Sequence, residues 1–283
     1  MRVETDFQLE NYNSYKIKSI AALALFPETI IELQQCISQY PDAIVWAGGN
    51  NIILSKTKYN NPIIFIRENL KKYRLYDNRV EVQAGLKMFE LSDILLENKL
   101  TGFEVFCDIP GCVGGGIIMN AGTGDNQISN LLLSVTALDR KSNSMLSFSK
   151  NECEFDYRDS LFKKNNDLIV TSVLFEFESG EYESIKSKMN TIRQTRHTKQ
   201  PTEYPNAGSV FKRPDGFFVG TMIENLGLKG YSIGDAQVSE KHAGFIINKG
   251  NATGKDILNL IEYIQKKVLY KFNVKLELEQ IVI

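Results

Sequence analysis

The stretch Thr101–Gly124, TGFEVFCDIPGCVGGGIIMNAGTG, decides how the rest of the chain is read. Glycine fills seven of its positions: Gly102, Gly111, Gly114, Gly115, Gly116, Gly122 and Gly124. Glycine lets a ligand approach the backbone closely and reaches conformations closed to other residues. Amides exposed in such loops form anion-binding nests. The apolar run Ile117–Ile118–Met119 gives the loops a buried anchor. Together these features suit a large ligand with a phosphate and an aromatic plane. A glycine-rich turn between strands accounts for the same residues without a ligand.

Composition narrows the classes. The 283 residues are enough for two or three lobes, and the hydrophobic content of 43% supplies a core. The net charge of −1 gives no overall basic field for nucleic acid or a membrane, so any anion site is local. Cys36, Cys107, Cys112 and Cys153 show no metal spacing and no CxxC pair. They read as buried free thiols in a reducing compartment. The opening residues MRVETDFQLENYN lack the pattern of a signal peptide, and no run is long enough to span a bilayer. A cytoplasmic protein is expected. His197 and His242 are the only histidines, so no multi-histidine metal site is expected. Neither has an evident serine–acid partner in sequence, which leaves triad chemistry unsupported.

Toward the N-terminus, Asn13-Ser14-Tyr15 reads as a turn. Glu28–Ser38 reads as a helix with Ile30, Leu33 and Ile37 inward. A strand at Ala43–Trp46 breaks at Gly48-Gly49-Asn50-Asn51 and resumes at Ile52–Leu54. The break is either a hairpin turn, the simpler reading, or a phosphate-binding turn of amides and side-chain donors. Ile63–Ile66 and Val80–Val82 read as strands, and Lys87–Lys99 as a helix burying Met88, Leu91, Ile94 and Leu95.

Toward the C-terminus, Leu133, Val135 and Ala137 alternate with polar residues, as does Leu168–Phe177. Between them lies FDYRDSLFK, residues 155–163. It is either a solvated loop with an Arg–Asp pair or an arginine fork presented to a carboxylate. Composition shifts near Ser179-Gly180-Glu181, which reads as a domain boundary. Arg193, Arg196, His197 and Lys199 then form a charged helix face or a diphosphate clamp. PNAGSVFK, residues 205–212, is not a G-x-S-x-G elbow, because Phe211 stands at the last glycine position. Phe218, Met222 and Leu226 form a stripe ended by Gly227. Thr253-Gly254-Lys255-Asp256 resembles a capping box that opens a helix with Ile257, Leu260, Ile261, Ile264 and Val268 inward. A final strand alternates Val274, Leu276 and Leu278 with Lys275, Glu277 and Glu279.

The order of these segments is more specific than any one of them. NSY, AGGNNIIL, IPGCVGGGIIMNAG, YRDSLFK, PNAGSVFK, VSEKHAGFIIN and LELEQIVI follow one another from Asn13 to the C-terminus. The series resembles the UDP-N-acetylenolpyruvoylglucosamine reductases, flavoenzymes of peptidoglycan precursor synthesis, and hence of cell-wall biogenesis, cell shape and cell division. The length is similar to that of the family's compact subclass, which lacks an added tyrosine-bearing loop. The resemblance implies an α+β fold. Two lobes of the vanillyl-alcohol-oxidase/p-cresol-methylhydroxylase type would hold noncovalent FAD, and a C-terminal α+β domain would hold the substrate. The implied bounds are 1–58 and 59–179 for the FAD lobes, 180–273 for the substrate domain and 274–283 for a strand returning to the active site. The absence of a Rossmann G-x-G-x-x-G agrees with that expectation.

By the same resemblance, Gly48, Gly49, Asn50 and Asn51 match the pyrophosphate turn. Ile109, Pro110, Gly111, Gly114, Gly115, Asn120, Ala121 and Gly122 match the flavin-facing segment, and Asn13 joins the cofactor set. NADPH reduces FAD and leaves, and the UDP-sugar substrate takes its place. Hydride then goes from flavin N5 to C3 of the enolpyruvyl group, and C2 is protonated. Arg158 matches the carboxylate-polarising arginine, Ser209 the proton donor and Glu279 the catalytic glutamate, with Glu277 sharing its strand parity. Lys212 and Gln237 match substrate-pocket positions. A monomer is favoured. The chain departs from the family pattern at Asn50, Asp108, Cys112, Arg213 and Gly124-Asp125-Asn126. None of these removes a proposed catalytic group.

Overall fold

The computed structural model describes residues 1–283. The chain forms two compact units, each built from three segments. The first comprises Met1–Thr5, Ala22–Gly48 and Asn60–Thr195. The second comprises Asp6–Ala21, Gly49–Tyr59 and Arg196–Ile283.

In the first unit, the strand Ile63–Phe65 runs parallel to residues 24–25 on one side and to Ile44–Trp46 on the other. All three of its residues are buried, as expected for a parallel strand covered on both faces. Helix α1 (Ile30–Gln39) buries Leu33, Cys36 and Ile37. It starts after Thr29, whose hydroxyl accepts the Glu32 amide, so the helix begins two residues later than the pattern suggested. A second sheet is antiparallel. Its spatial order is Ser144–Ser149, Leu132–Asp139, Leu168–Glu176, Arg79–Gln83 and Tyr73–Tyr76. Helix α2 (Met88–Glu97) buries Met88, Leu91, Leu95 and Leu96. The glycine-rich stretch contains a short helix, α3 (Val113–Ile118), and so is more than a turn. Helix α4 (Leu161–Lys164) is capped by Ser160. Helix α5 (Tyr182–Lys199) starts in this unit, where Ile185 and Met189 pack with Leu96 and Cys107. Arg193, at the start of the expected basic cluster, pairs with Asp93 at 3.2 Å.

The second unit contains helices α6 (Val219–Asn225) and α7 (Gly254–Phe272). A three-stranded antiparallel sheet orders Ser232–Ile233, Ala236–Val238 and Ile246–Asn248. Thr253 and Asp256 form the expected capping box, and the five expected apolar residues of α7 are buried. The stripe expected on α6 is only partly present. The helix begins at Val219, which leaves Phe218 outside it and exposed, and Ile223 joins Met222 in the core. Gly227 closes the helix at φ 68°.

Two expectations are corrected. Gly48–Asn51 is not a hairpin turn: Ile44–Trp46 pairs with Ile63–Phe65, whereas Ile52–Ile53 pairs in parallel with Ile281–Val282. The tail Val274–Glu279 is not a regular strand, and its one ladder contact is the Phe211–Leu278 bridge. Its carbonyls go to unlike partners: Leu276 O accepts from the Gln265 side chain, Glu277 O from Lys212 N and Glu279 O from the Asn51 side chain. Burial still alternates through Val274 and Leu276, and the same parity carries it on to Gln280. No helix is long and apolar enough to cross a membrane.

Candidate active site

In the first unit, the three glycines of α3 do different work. A Cβ on Gly114 would stand 2.8 Å from the Ala84 Cβ, and one on Gly116 would stand 3.1 Å from Met88 Sδ. Those two glycines let the helix pack. A Cβ on Gly115 would meet nothing within 4 Å. At Gly115 the helix therefore offers bare backbone to open space, the cradle that the flat ring of a flavin needs. Gly111, at φ 133°, holds a conformation closed to L side chains, and its carbonyl accepts from Met88 N at 3.0 Å. Pro110 is exposed and Ile109, Gly111 and Ala121 are half-buried along the same stretch. Gly122 is required by the fold, because a side chain there would collide with the Asn126 carbonyl across the Gly122–Gln127 pair. Gly48 O accepts from Arg67 at 3.3 Å. Two residues earlier, the buried Trp46 indole N–H has no partner, the kind of orphan that a polar ligand satisfies. These features fit FAD.

Asn120 is buried at φ 42°. Its amide donates to Gln127 Oε1 at 2.6 Å and to Asp156 O at 3.0 Å, so the side chain ties loops together. Arg158 follows the same logic. Asp156 and Asp159 exchange backbone hydrogen bonds at 3.1 and 3.2 Å, which puts Arg158 at a tight turn with φ 55°. Its guanidinium donates to Gly122 O at 2.7 Å and to Asn120 O at 3.4 Å. Ser160 Oγ donates to Ile118 O at 2.8 Å. Residues 156–160 therefore rest on the end of the glycine-rich stretch, and the guanidinium is held there through carbonyls.

In the second unit, Gly49–Asn51 is braced from within. Ser14 N donates to Gly49 O at 3.1 Å, Asn50 Nδ2 to Ser14 Oγ at 2.8 Å and Asn51 Nδ2 to Glu279 O at 3.2 Å. The Asn13 side chain is buried and spent on its own turn. It donates to Leu9 O and Ile17 O at 2.8 and 3.0 Å and accepts from Ile17 N at 2.9 Å. These bonds shape the turn that carries Ser14.

Ser209 and Glu279 come from segments 70 residues apart in sequence. Their segments are brought together because residues 210–212 run antiparallel to the tail, with Val210 opposite Glu279. Phe211 bridges Leu278, Glu279 N donates to Val210 O at 2.9 Å, and Lys212 N donates to Glu277 O at 2.9 Å. The other edge is held by Val210 N donating to Gly244 O at 3.1 Å. Ser209 is exposed and Glu279 half-buried. The two glutamates differ in surroundings. Glu277 is 71% exposed and pairs with Lys212 Nζ at 2.6 Å, so Lys212 is engaged with the tail. Gln237 Nε2 donates to Gly230 O and Ser232 Oγ, both at 3.0 Å, within its own hairpin.

Sequence reasoning passed over three residues here. Burial lowers the His242 pKa, and the ring accepts Gly244 N at Nδ1 at 3.2 Å, so a neutral imidazole braces the turn beside Val210. Tyr15 and Gln280 are buried polar partners. The signal for Gln280 was the tail's own parity, which puts it on the inward side with Leu276 and Leu278.

All four cysteines are buried and free. Burial pushes the Cys112 and Cys153 thiols up to about 12. Since the thiolate is the reacting form, none should react with an aromatic disulfide reagent at about pH 8 until the protein unfolds. Unfolding should then release all four. A thiol that titrates at once in the native protein would contradict this burial.

Residues 21–146 match an FAD binding domain. Residues 200–283 match the C-terminal domain of UDP-N-acetylenolpyruvoylglucosamine reductase. The reductase of that name from Francisella tularensis is 41% identical over 277 residues, covering 97% of this chain and 98% of its own. The one from Petrotoga mobilis is 41% identical over 285 residues, covering 96% and 91%. The crystal structure of the Thermus caldophilus enzyme matches with a TM-score of 0.86 at 30% identity, covering 100% of this chain and 99% of that one. An α+β fold carrying an FAD-binding domain, matched over nearly its whole length by such relatives, places the chain in the UDP-N-acetylenolpyruvoylglucosamine reductase family.

Proposed function

We propose that this protein reduces UDP-N-acetylglucosamine enolpyruvate to UDP-N-acetylmuramate in peptidoglycan precursor synthesis. FAD is its noncovalent cofactor and NADPH its reductant. The supporting observation is the pairing of 209–212 with the tail, which brings the segment carrying Ser209 against the segment carrying Glu279. When bound, FAD supplies the hydride chemistry, from NADPH to C3 of the enolpyruvyl group. The chain's own residues do the rest. Arg158 binds the carboxylate and stabilises the charge that develops there as C3 gains hydride. Ser209 holds the proton destined for C2. Glu279 is the acid–base partner in the same half-reaction. Lys212, whose ammonium pairs with the exposed Glu277, belongs to the substrate pocket. Gln237 belongs to the same pocket.

For FAD, we assign Gly48–Asn51 to the pyrophosphate. Ile109–Gly111, Gly115 and Ala121 would lie against the flavin, with Gly114, Asn120 and Gly122 shaping that surface. We read the lobes as 1–58 and 59–179 for FAD, 180–273 for substrate and 274–283 for the tail, in a monomeric cytoplasmic enzyme. The function is tested by incubating the enzyme with NADPH and the enolpyruvyl substrate and weighing the product. A gain of two hydrogens supports it, and unchanged substrate contradicts it.

Two further results are expected. Acid precipitation should leave the yellow colour in the supernatant, since neither histidine lies in the assigned FAD loops. Flavin held on the denatured protein would contradict noncovalent binding. Arg158→Lys should slow flavin reoxidation by substrate more than flavin reduction by NADPH, because an ammonium does not reproduce the bidentate fork. Normal reoxidation would limit Arg158 to bracing residues 120–122.

A further inference from the structure

The residue after Glu279 reaches back to the residues before Ser209. Gln280 is 3% exposed. Its Nε2 donates to Ala207 O at 3.1 Å and to Gly208 O at 3.2 Å. Its Oε1 accepts from the Tyr15 hydroxyl at 3.0 Å. The amide has one consistent orientation, since only its NH₂ can meet two carbonyls and only its oxygen can meet a hydroxyl that donates. Tyr15 is fully buried, and burial pushes its phenol up, so the hydroxyl keeps its proton. Tyr15 is itself pinned, because its carbonyl accepts from Asn248 Nδ2 at 2.7 Å. Asn248 Oδ1 in turn accepts from Gly250 N and Ala252 N, both at 2.9 Å, at the foot of α7.

Ser209 is thereby held from both sides by two adjacent tail residues. Gln280 binds the carbonyl before it, at Gly208, and Glu279 N binds the carbonyl after it, at Val210. Gly208 sits at φ 80°, with nothing within 4 Å of where its Cβ would be. Gly208 has no side chain to pack, and its peptide groups are held by hydrogen bonds: its N–H donates to Asn206 Oδ1 at 3.1 Å and its carbonyl accepts from Gln280.

We infer that Gln280, locked by Tyr15, is a positioning residue that sets the Ser209 hydroxyl relative to Glu279 for the substrate half-reaction. The inference rests on the proposed roles of Ser209 and Glu279. It predicts a loss of alignment in Gln280 variants rather than a loss of chemistry. A misplacement of about an ångström at a reacting group is worth up to about 100-fold in rate.

The test uses the FAD-loaded enzyme and reads thermal stability, flavin reduction by NADPH and flavin reoxidation by substrate. Gln280→Leu should lower stability, because Tyr15 OH and two carbonyls lose their partner, and should slow reoxidation about 10–100-fold. Tyr15→Phe/Gln280→Leu also removes the orphaned hydroxyl, so stability should return in part while reoxidation stays slow. Gln280→Glu supplies a second readout that survives if Gln280→Leu fails to fold. Ionised, its carboxylate repels the two carbonyls. Protonated, it can accept from Tyr15 and donate to one of them. Its reoxidation rate relative to wild type should therefore climb as pH falls. Recovery of rate together with stability in the double variant, or a pH-independent ratio in Gln280→Glu, would reduce the pair to core packing. Ser209→Ala separates the two claims. If Ser209→Ala turns over normally, the serine's role falls, and this inference with it. If Ser209→Ala is crippled and the double variant is not, only the positioning claim falls. Adding Gln280→Leu to Ser209→Ala should cost little more, since the amide acts through the serine.

Discussion

Ser209→Ala is expected to lose turnover by about 10²–10⁴-fold, the usual worth of a positioned general acid. The variant should keep its FAD and be reduced by NADPH at nearly the normal rate. A free serine is a poor acid, so its surroundings must help. Lys212, close by in sequence, has its ammonium paired with Glu277 at 2.6 Å. The hydrogen-bonded frame around residues 208–210 fixes the serine's backbone on both sides. Ser209→Cys should recover part of the rate, because a thiol can also give a proton. Rapid-reaction measurement of flavin reoxidation, paired with product formation, reads this step. Product formed by Ser209→Ala at the wild-type rate would make the GSVFK segment a binding turn only.

Glu279→Gln is expected to slow the substrate half-reaction by on the order of 10²-fold or more. Glu277→Gln should change it by less than about twofold, since an exposed ion pair contributes little. Strand parity alone treats the two alike, but their surroundings do not. Glu277 lies 71% exposed against Lys212, whereas Glu279 is half-buried and its backbone joins Val210 and Asn51. The half-reaction measured on both variants decides the assignment, and a slow Glu277→Gln beside a normal Glu279→Gln would reverse it.

Much of this was legible before the fold was known, and the reasons are local. The apolar face of α7 and its Thr253–Asp256 cap follow from spacing and side-chain chemistry within a few residues, and both are present. The buried state of the four cysteines followed from their lack of any metal or redox pattern. What was misread depends on partners far away in the chain. Read alone, Gly48–Asn51 is most simply a hairpin turn, yet the strands on either side pair with Ile63–Phe65 and Ile281–Val282. The tail has the period of a strand, but its carbonyls go to side chains and to the serine segment rather than to one neighbour.

At the site, the family pattern pointed to Ser209, Glu279 and Arg158, and geometry supplied their supports. The resemblance put Asn13 and Asn120 in the cofactor set, and the structure shows their amides bonded to backbone and to Gln127. Gln280 escaped notice because a polar residue in an alternating tail reads as solvent-facing until its parity is followed.

Anaerobic addition of NADPH, followed by UDP-N-acetylglucosamine enolpyruvate, with flavin absorbance recorded throughout, tests the account most directly. The account predicts that NADPH bleaches the flavin and that the enolpyruvyl substrate, in the absence of oxygen, restores the colour as product forms. A flavin that bleaches but stays reduced when the substrate is added would contradict it.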